Sequence, residues 1–140
     1  MTTIVATRTW IAADRKIACD LVFKSTKLFR VNGSIIGVAG SFQHALKFIE
    51  WRKNLDNKPT MGEDDFEALE LTANGKLFLW QSELIAMPID GDCYAIGSGG
   101  GIALGALEMG ASPKKAIALA AKYDNKTGSA AQIMRLKGAK

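Results

Sequence analysis

The chain has 140 residues, 48% of them hydrophobic and 23% charged, with a formal net charge of +4; this balance describes one soluble globular domain spanning 1–140. Lysines and arginines are scattered rather than striped, which argues against nucleic acid as a partner, and two cysteines with one histidine cannot make up a zinc-ligand set. No apolar run nears the roughly 18 residues of a membrane-spanning helix, and Met1-Thr2-Thr3-Ile4-Val5 lacks the basic segment of a signal peptide, so a cytoplasmic protein with free thiols and no membrane association is expected.

In chain order, Thr3 to Thr7 is β-branched and reads as a strand, and Thr9 to Ala13 reads as its hairpin partner, turning near Arg8 and ending at Asp14. A short strand or extended loop is expected around Ile17 to Val22. Lys27 to Val31 and Ser34 to Ala39 flank Asn32-Gly33, the strongest short hairpin signal, because both turn positions need positive φ. Ser41 then caps a helix running to about Lys53, with Phe42, Ala45, Leu46 and Ile49 on one apolar face. Phe48 and Trp51 fall off that face: they form a second apolar strip for a partner, or they pack under the following loop. His44 also lies off the face and reads as a partly exposed helix histidine. Asn54 to Asp65 is a polar loop whose Glu63-Asp64-Asp65 run reads as solvated charge rather than a metal site.

Phe66 to Ala73 and Lys76 to Gln81 flank Asn74-Gly75 as a second hairpin of the same kind. A short strand is expected at Leu84 to Met87 and another at Cys93 to Gly97. Gly97-Ser98-Gly99-Gly100-Gly101 opens a helix from Ile102 to Met109; it matches neither phosphate-binding glycine motif and marks only a close backbone approach. Ser112-Pro113 starts a further helix with a small-residue face at Ala116, Ile117 and Ala120, ending near Tyr123. Asp124 to Gly128 is a turn, and Ala130 to Leu136 a last strand.

The start carries a chemical signal. Removal of Met1 would leave Thr2 as the N-terminus, with a hydroxyl nucleophile and an α-amine of near-neutral pKa on one residue. Met-Thr opens many ordinary proteins, so other residues must support such a site.

Several pieces together do so. Thr2-Thr3-Ile4-Val5, Ala12-Ala13-Asp14, Lys27 before the first Asn-Gly turn, Gly37-Val38-Ala39-Gly40, Ala95 to Gly100, and Asp124-x-x-Thr127-Gly128 stand in one order along nearly the whole chain. In this the chain resembles the proteasome β-subunit and HslV peptidase family of N-terminal nucleophile hydrolases, and is closer to HslV in beginning on Thr-Thr without long insertions. The resemblance implies an α+β fold, a shortened four-layer αββα sandwich. It implies Thr2 as nucleophile, Lys27 beside it, Asp14 holding Lys27, the Gly40 amide as oxyanion donor, and Ser98 and Asp124 orienting the N-terminal amine. Thr127 would hydrogen-bond in the same turn, and Ala121, Asp124 and Thr127 would hold a monovalent cation such as Na+ through carbonyls. Val38, before the oxyanion glycine, would line an apolar specificity pocket.

The resemblance has departures: the connections from Thr2 to Asp14 and from Asp14 to Lys27 are short, and a helical hairpin is reduced to one helix. The expectation is a threonine-type endopeptidase subunit of a self-compartmentalising protease, acting on polypeptides in a homo-oligomeric ring, with an AAA+ unfoldase as a possible partner. The alternatives are a noncatalytic assembly subunit that retains Met1 and, less favoured, a nucleotide binder using Gly97 to Gly101.

Overall fold

A computed structural model describes residues 2–18, 22–62 and 65–138. The first sheet has the order β10-β1-β2-β11, from Cys93–Ile96, Ile4–Thr7, Trp10–Asp14 and Ala131–Arg135. The second has the order β5-β6-β7-β8-β9, from Leu28–Val31, Ser34–Gly40, Phe66–Leu71, Leu77–Trp80 and Met87–Ile89. All pairs are antiparallel. Three helices, α1 (Phe42–Asn54), α2 (Gly100–Glu108) and α3 (Pro113–Tyr123), complete the main layers.

Strand alternation sorts the side chains between two cores. Ile4, Ala6, Ile11 and Ala13 meet Leu28, Ile35, Leu69 and Leu71 between the sheets. Val5, Trp10 and Ala12 point the other way, onto Ala103, Ala116, Ile117 and Ala120 of α2 and α3. Ile36, Val38, Ala68 and Trp80, on the outer face of the second sheet, pack on Ala45, Phe48 and Ile49 of α1. The layers therefore run helix, sheet, sheet, helix, the αββα sandwich expected. β1 and β2 are buried almost throughout because both faces of their sheet are covered.

Local signals placed most elements. Ser41 accepts from the His44 N–H and Ser112 from the Lys115 N–H, capping α1 and α3. Asn32 and Gly33 take φ of 50° and 86° in a two-residue turn.

Four details differ from the sequence reading. The strand expected over Ile17 to Val22 is instead a two-stranded ribbon, β3 (Lys16–Ala18) with β4 (Val22–Lys24); positions 19–21 lie outside the described residues, and so do Glu63 and Asp64 of the acidic run. The second Asn-Gly hairpin turns through three residues, Ala73 to Gly75, because Thr72 N–H donates to the Lys76 carbonyl at 2.9 Å and Gly75 N–H closes on the Thr72 carbonyl at 2.9 Å. There only Gly75 needs positive φ, at 82°. The strand expected at Leu84 to Met87 starts at Met87, since Leu84 closes a turn with φ of 56° and its N–H on the Gln81 carbonyl. On α1 the buried set is Ala45, Phe48 and Ile49, while Leu46 is 45% exposed. Phe48 is buried rather than turned to a partner: its ring meets Phe66 and Trp80, 5.1 and 5.2 Å away, on the sheet, in a cluster that Met61 of the following loop joins.

Candidate active site

The first sheet sets β1 beside β2, so the residues leading into β1 lie alongside the end of β2. Asp14 N–H donates to the Thr3 carbonyl at 3.2 Å, and Thr3 N–H returns a bond to Asp14 Oδ1 at 3.0 Å. Asp14 is fully buried, and its carboxylate is surrounded by donors. Oδ1 also accepts from Lys27 Nζ at 2.9 Å; Oδ2 accepts from Gly128 N–H at 2.8 Å and Lys16 N–H at 3.2 Å. Such a set is what a buried carboxylate requires.

Lys27 comes from the other sheet, one residue before β5, and only 1% of it is exposed. Its Nζ donates to Thr2 Oγ as well as to Asp14. One ammonium therefore bridges a buried hydroxyl and a buried carboxylate from three separated stretches of chain. Burial lowers the Lys27 pKa; the Asp14 charge and hydrogen bond oppose this, Lys16 adds to it, and the net value lies below that of an ordinary lysine. The proton shared with Thr2 Oγ is correspondingly less tightly held.

Thr2 is also fixed through its backbone. Its carbonyl accepts from Gly99 N–H at 3.4 Å. A Cβ on Gly97, whose φ is +89°, would sit 2.0 Å from that carbonyl oxygen, and one on Gly99 would sit 2.0 Å from Thr3 Oγ. The close approach marked by the glycine run is thus to the chain's own N-terminal segment. This accounts for the glycines without a bound phosphate.

A hydroxyl chain runs beneath the site. Ser98 Oγ and Thr127 Oγ each donate to Asp124 Oδ2 at 2.6 Å, so the Thr3–Thr127 hydroxyl contact of 2.7 Å has Thr3 as donor. Burial raises the Asp124 pKa, but the two hydroxyls and the Lys126 N–H together outweigh it and hold the carboxyl below its ordinary range. Ala121 lies in the last turns of α3, with Asp124 as its C-cap and Thr127 three residues on. Carbonyl oxygens of this kind suit a hard monovalent cation, although the Asp124 carbonyl already accepts Thr127 N–H at 3.1 Å.

Gly40 ends β6 with φ of +90°. A Cβ there would lie 2.2 Å from the Asp65 carbonyl oxygen, so only glycine fits. Gly40 shares one small hollow with Thr2, Lys27, Val38 and Ile17. His44 does not line this hollow. Among the described residues no group of three or more His, Cys, Asp or Glu side chains forms a metal site, and no helix is long and apolar enough to cross a membrane.

The structure thus gathers Thr2, Asp14, Lys27 and Gly40 in one place and links Ser98, Asp124 and Thr127 on the adjoining turn. The sequence reading missed Lys16, Gly128 and Thr3 as partners. The Thr-Thr doublet was the available signal for Thr3; the backbone donors of Lys16 and Gly128 leave no mark in a sequence.

No protein-family model matches the chain, and neither does the sequence of any curated protein. Solved structures do match over its whole length. Eukaryotic HslV from Trypanosoma brucei is similar with a TM-score of 0.74 and 20% identity, over 95% of this chain and 98% of that one. BPH from Thiobacillus denitrificans is similar at 0.71 and 20%, over 99% of both chains, and its complex with epoxomicin at 0.69 and 17%, over 97% and 98%. The chain has the HslV-type N-terminal nucleophile hydrolase fold.

Proposed function

We propose that the protein is a threonine-type endopeptidase, a subunit of a self-compartmentalising HslV- or proteasome-like protease. The observation that carries this reading is the buried Lys27 bridge between Thr2 Oγ and Asp14. After removal of Met1, the Thr2 α-amine takes the Oγ proton as Oγ bonds to the substrate carbonyl carbon. Lys27 stabilises the forming alkoxide, and Asp14 keeps Lys27 aimed at it. The Gly40 amide faces the developing oxyanion. The C–N bond then breaks as the leaving amine takes the proton back from the α-ammonium. Water resolves the ester by the same route in reverse, restoring Thr2. Ser98 and Asp124 orient the α-amine, and the carbonyls of Ala121, Asp124 and Thr127 would hold a monovalent cation that stiffens the turn.

The likeness in fold to HslV supports a cytoplasmic homo-oligomeric ring that receives polypeptides, with an AAA+ unfoldase as partner. Epoxomicin, bound in one of the similar structures, supplies a probe. The test is intact mass together with hydrolysis of fluorogenic peptides. The expected mature chain begins at Thr2, gains one epoxomicin, and loses both hydrolysis and the adduct as Thr2→Ala. Full hydrolysis with Met1 retained would overturn the mechanism. Retained Met1 with no hydrolysis would leave a noncatalytic assembly subunit.

A further inference from the structure

The two sheets do not close on each other at the active-site end. A cleft of about 770 Å³ opens there, lined by Ala39, Gly40, Gly97 and Ser98 on the side of the site. It shares Ala39 and Gly40 with the hollow that holds Thr2 and Lys27. The far wall is formed by the start of β7 and the connection from β8 to β9.

Strand alternation shows why polar residues enter the wall of the cleft. On β7, Leu71 and Leu69 face the core between the sheets, and Glu67 is the next residue on that face. On β8, Leu77 and Leu79 face it, and Gln81 follows. The inter-sheet core therefore ends in Glu67 and Gln81, hydrogen-bonded to each other at 3.3 Å, where further leucines would have sealed the sandwich. Asp65 and Glu83 add two more carboxylates, and among the described residues no Lys, Arg or His lines the cleft. On a chain of net charge +4 this wall is of the opposite sign. Exposed Ile85 and half-buried Met87 give it apolar surface as well.

We infer that this cleft binds the polypeptide segment following the scissile bond and selects lysine or arginine there. The inference rests on the peptidase reading for its register. With the scissile carbonyl at Thr2 Oγ, the chain beyond it passes Gly40 and Ser98 into the cleft. A lysine or arginine lays its methylene stem on Ile85 and Met87 and its charged head against Glu67 and Glu83. Contacts of this exposed kind each contribute a modest factor, so a pair amounts to roughly twofold to thirtyfold in selectivity.

The test uses decapeptides that share one acyl side and carry Lys-Lys or Glu-Glu at the second and third leaving-side positions. Fluorescein-labelled versions are titrated against Thr2→Ala by anisotropy, and internally quenched versions are given to the wild type. The Lys-Lys peptide is expected to bind roughly twofold to thirtyfold more tightly, less so as salt rises. The preference is expected to vanish with Glu67→Gln/Glu83→Gln added and to reverse with Glu67→Lys/Glu83→Lys. Equal binding of the two peptides, or a preference that survives Glu67→Gln/Glu83→Gln, overturns the inference whether or not the wild type hydrolyses anything. A binding preference that follows these carboxylates, beside a wild type that hydrolyses neither peptide, supports the cleft and overturns the peptidase reading instead.

Discussion

Asp14 holds several donors besides Lys27. Truncating Lys27 leaves Asp14 with the N–H groups of Thr3, Lys16 and Gly128. The stability loss in Lys27→Met is therefore expected to fall short of the roughly 3–5 kcal/mol of a broken buried pair. Asp14→Asn removes the carboxylate charge beside Lys27 and sets an amide NH2 or a single oxygen against N–H donors on both sides, so it reaches that range. Urea denaturation should rank the midpoints wild type, Lys27→Met, Asp14→Asn, in falling order. Peptide hydrolysis should fall by about 10²–10³-fold or more in each, with the double variant little worse than either, because the pair acts as a unit. Asp124 sets a pH dependence. Its folded pKa lies below the ordinary carboxylate value, so its contribution to stability is complete above the unfolded value and is lost as pH falls through the folded one. The denaturation midpoints of wild type and Asp124→Asn should accordingly differ more at neutral pH than in acid.

At the scale of the element, α1 shows how a helix face is chosen by what lies beneath it. Period alone offered Leu46 and Phe48 as candidates, one on the apolar face and one beside it. The sheet takes Phe48, because Phe66 and Trp80 form an aromatic seat there and Trp51 meets both Phe48 and Trp80. Phe48→Ala is expected to cost about 3–5 kcal/mol. Leu46→Ala should change stability by about 0.5 kcal/mol or less. Chemical denaturation followed by circular dichroism checks both. For the same reason Phe48→Glu would unfold the chain rather than dissociate an assembly. A buried polar knot fixes the other end of α1: Glu70 on β7 accepts from Ser34 Oγ, Arg52 and Trp80 Nε1. Arg52 lies 5.2 Å from the Trp80 ring as well.

For the molecule as a whole, the distance between the sheets is set at Gly37. A Cβ there would come within 2.6 Å of Ile4 Cγ2 and 3.1 Å of Leu28 Cδ2. Gly37→Ala would push β6 away from β1, and so shift Lys27 relative to Thr2. We expect it to cost roughly 1–3 kcal/mol and to depress hydrolysis more than it depresses the denaturation midpoint. Ring assembly belongs to this scale too. Met109, Val22 and Tyr123 are exposed by 89, 66 and 67% on three different elements or their ends, apolar surface that subunit contacts would cover. Native mass spectrometry and light scattering should show an oligomer; a fully active monomer would end the ring proposal.

The chain's own sequence determined what is local. Caps at Ser41 and Ser112, the Asn32-Gly33 turn, and the alternation of β1 and β2 are each written within a few residues, because capping, turn geometry and pleat depend only on near neighbours. From these came the order of strands and helices, while the four-layer arrangement was implied by the resemblance. Asp14, Lys27 and Thr2 carry no such mark and entered through the resemblance of ordered motifs. Their meeting was decided by the tertiary structure, since it depends on which strands pair and on which sheet faces which. The same holds for Phe48 displacing Leu46 and for the carboxylate of Glu67 at the end of an apolar row. Each is set by a partner more than ten residues away or by the geometry of a whole sheet, and no short stretch of sequence encodes that.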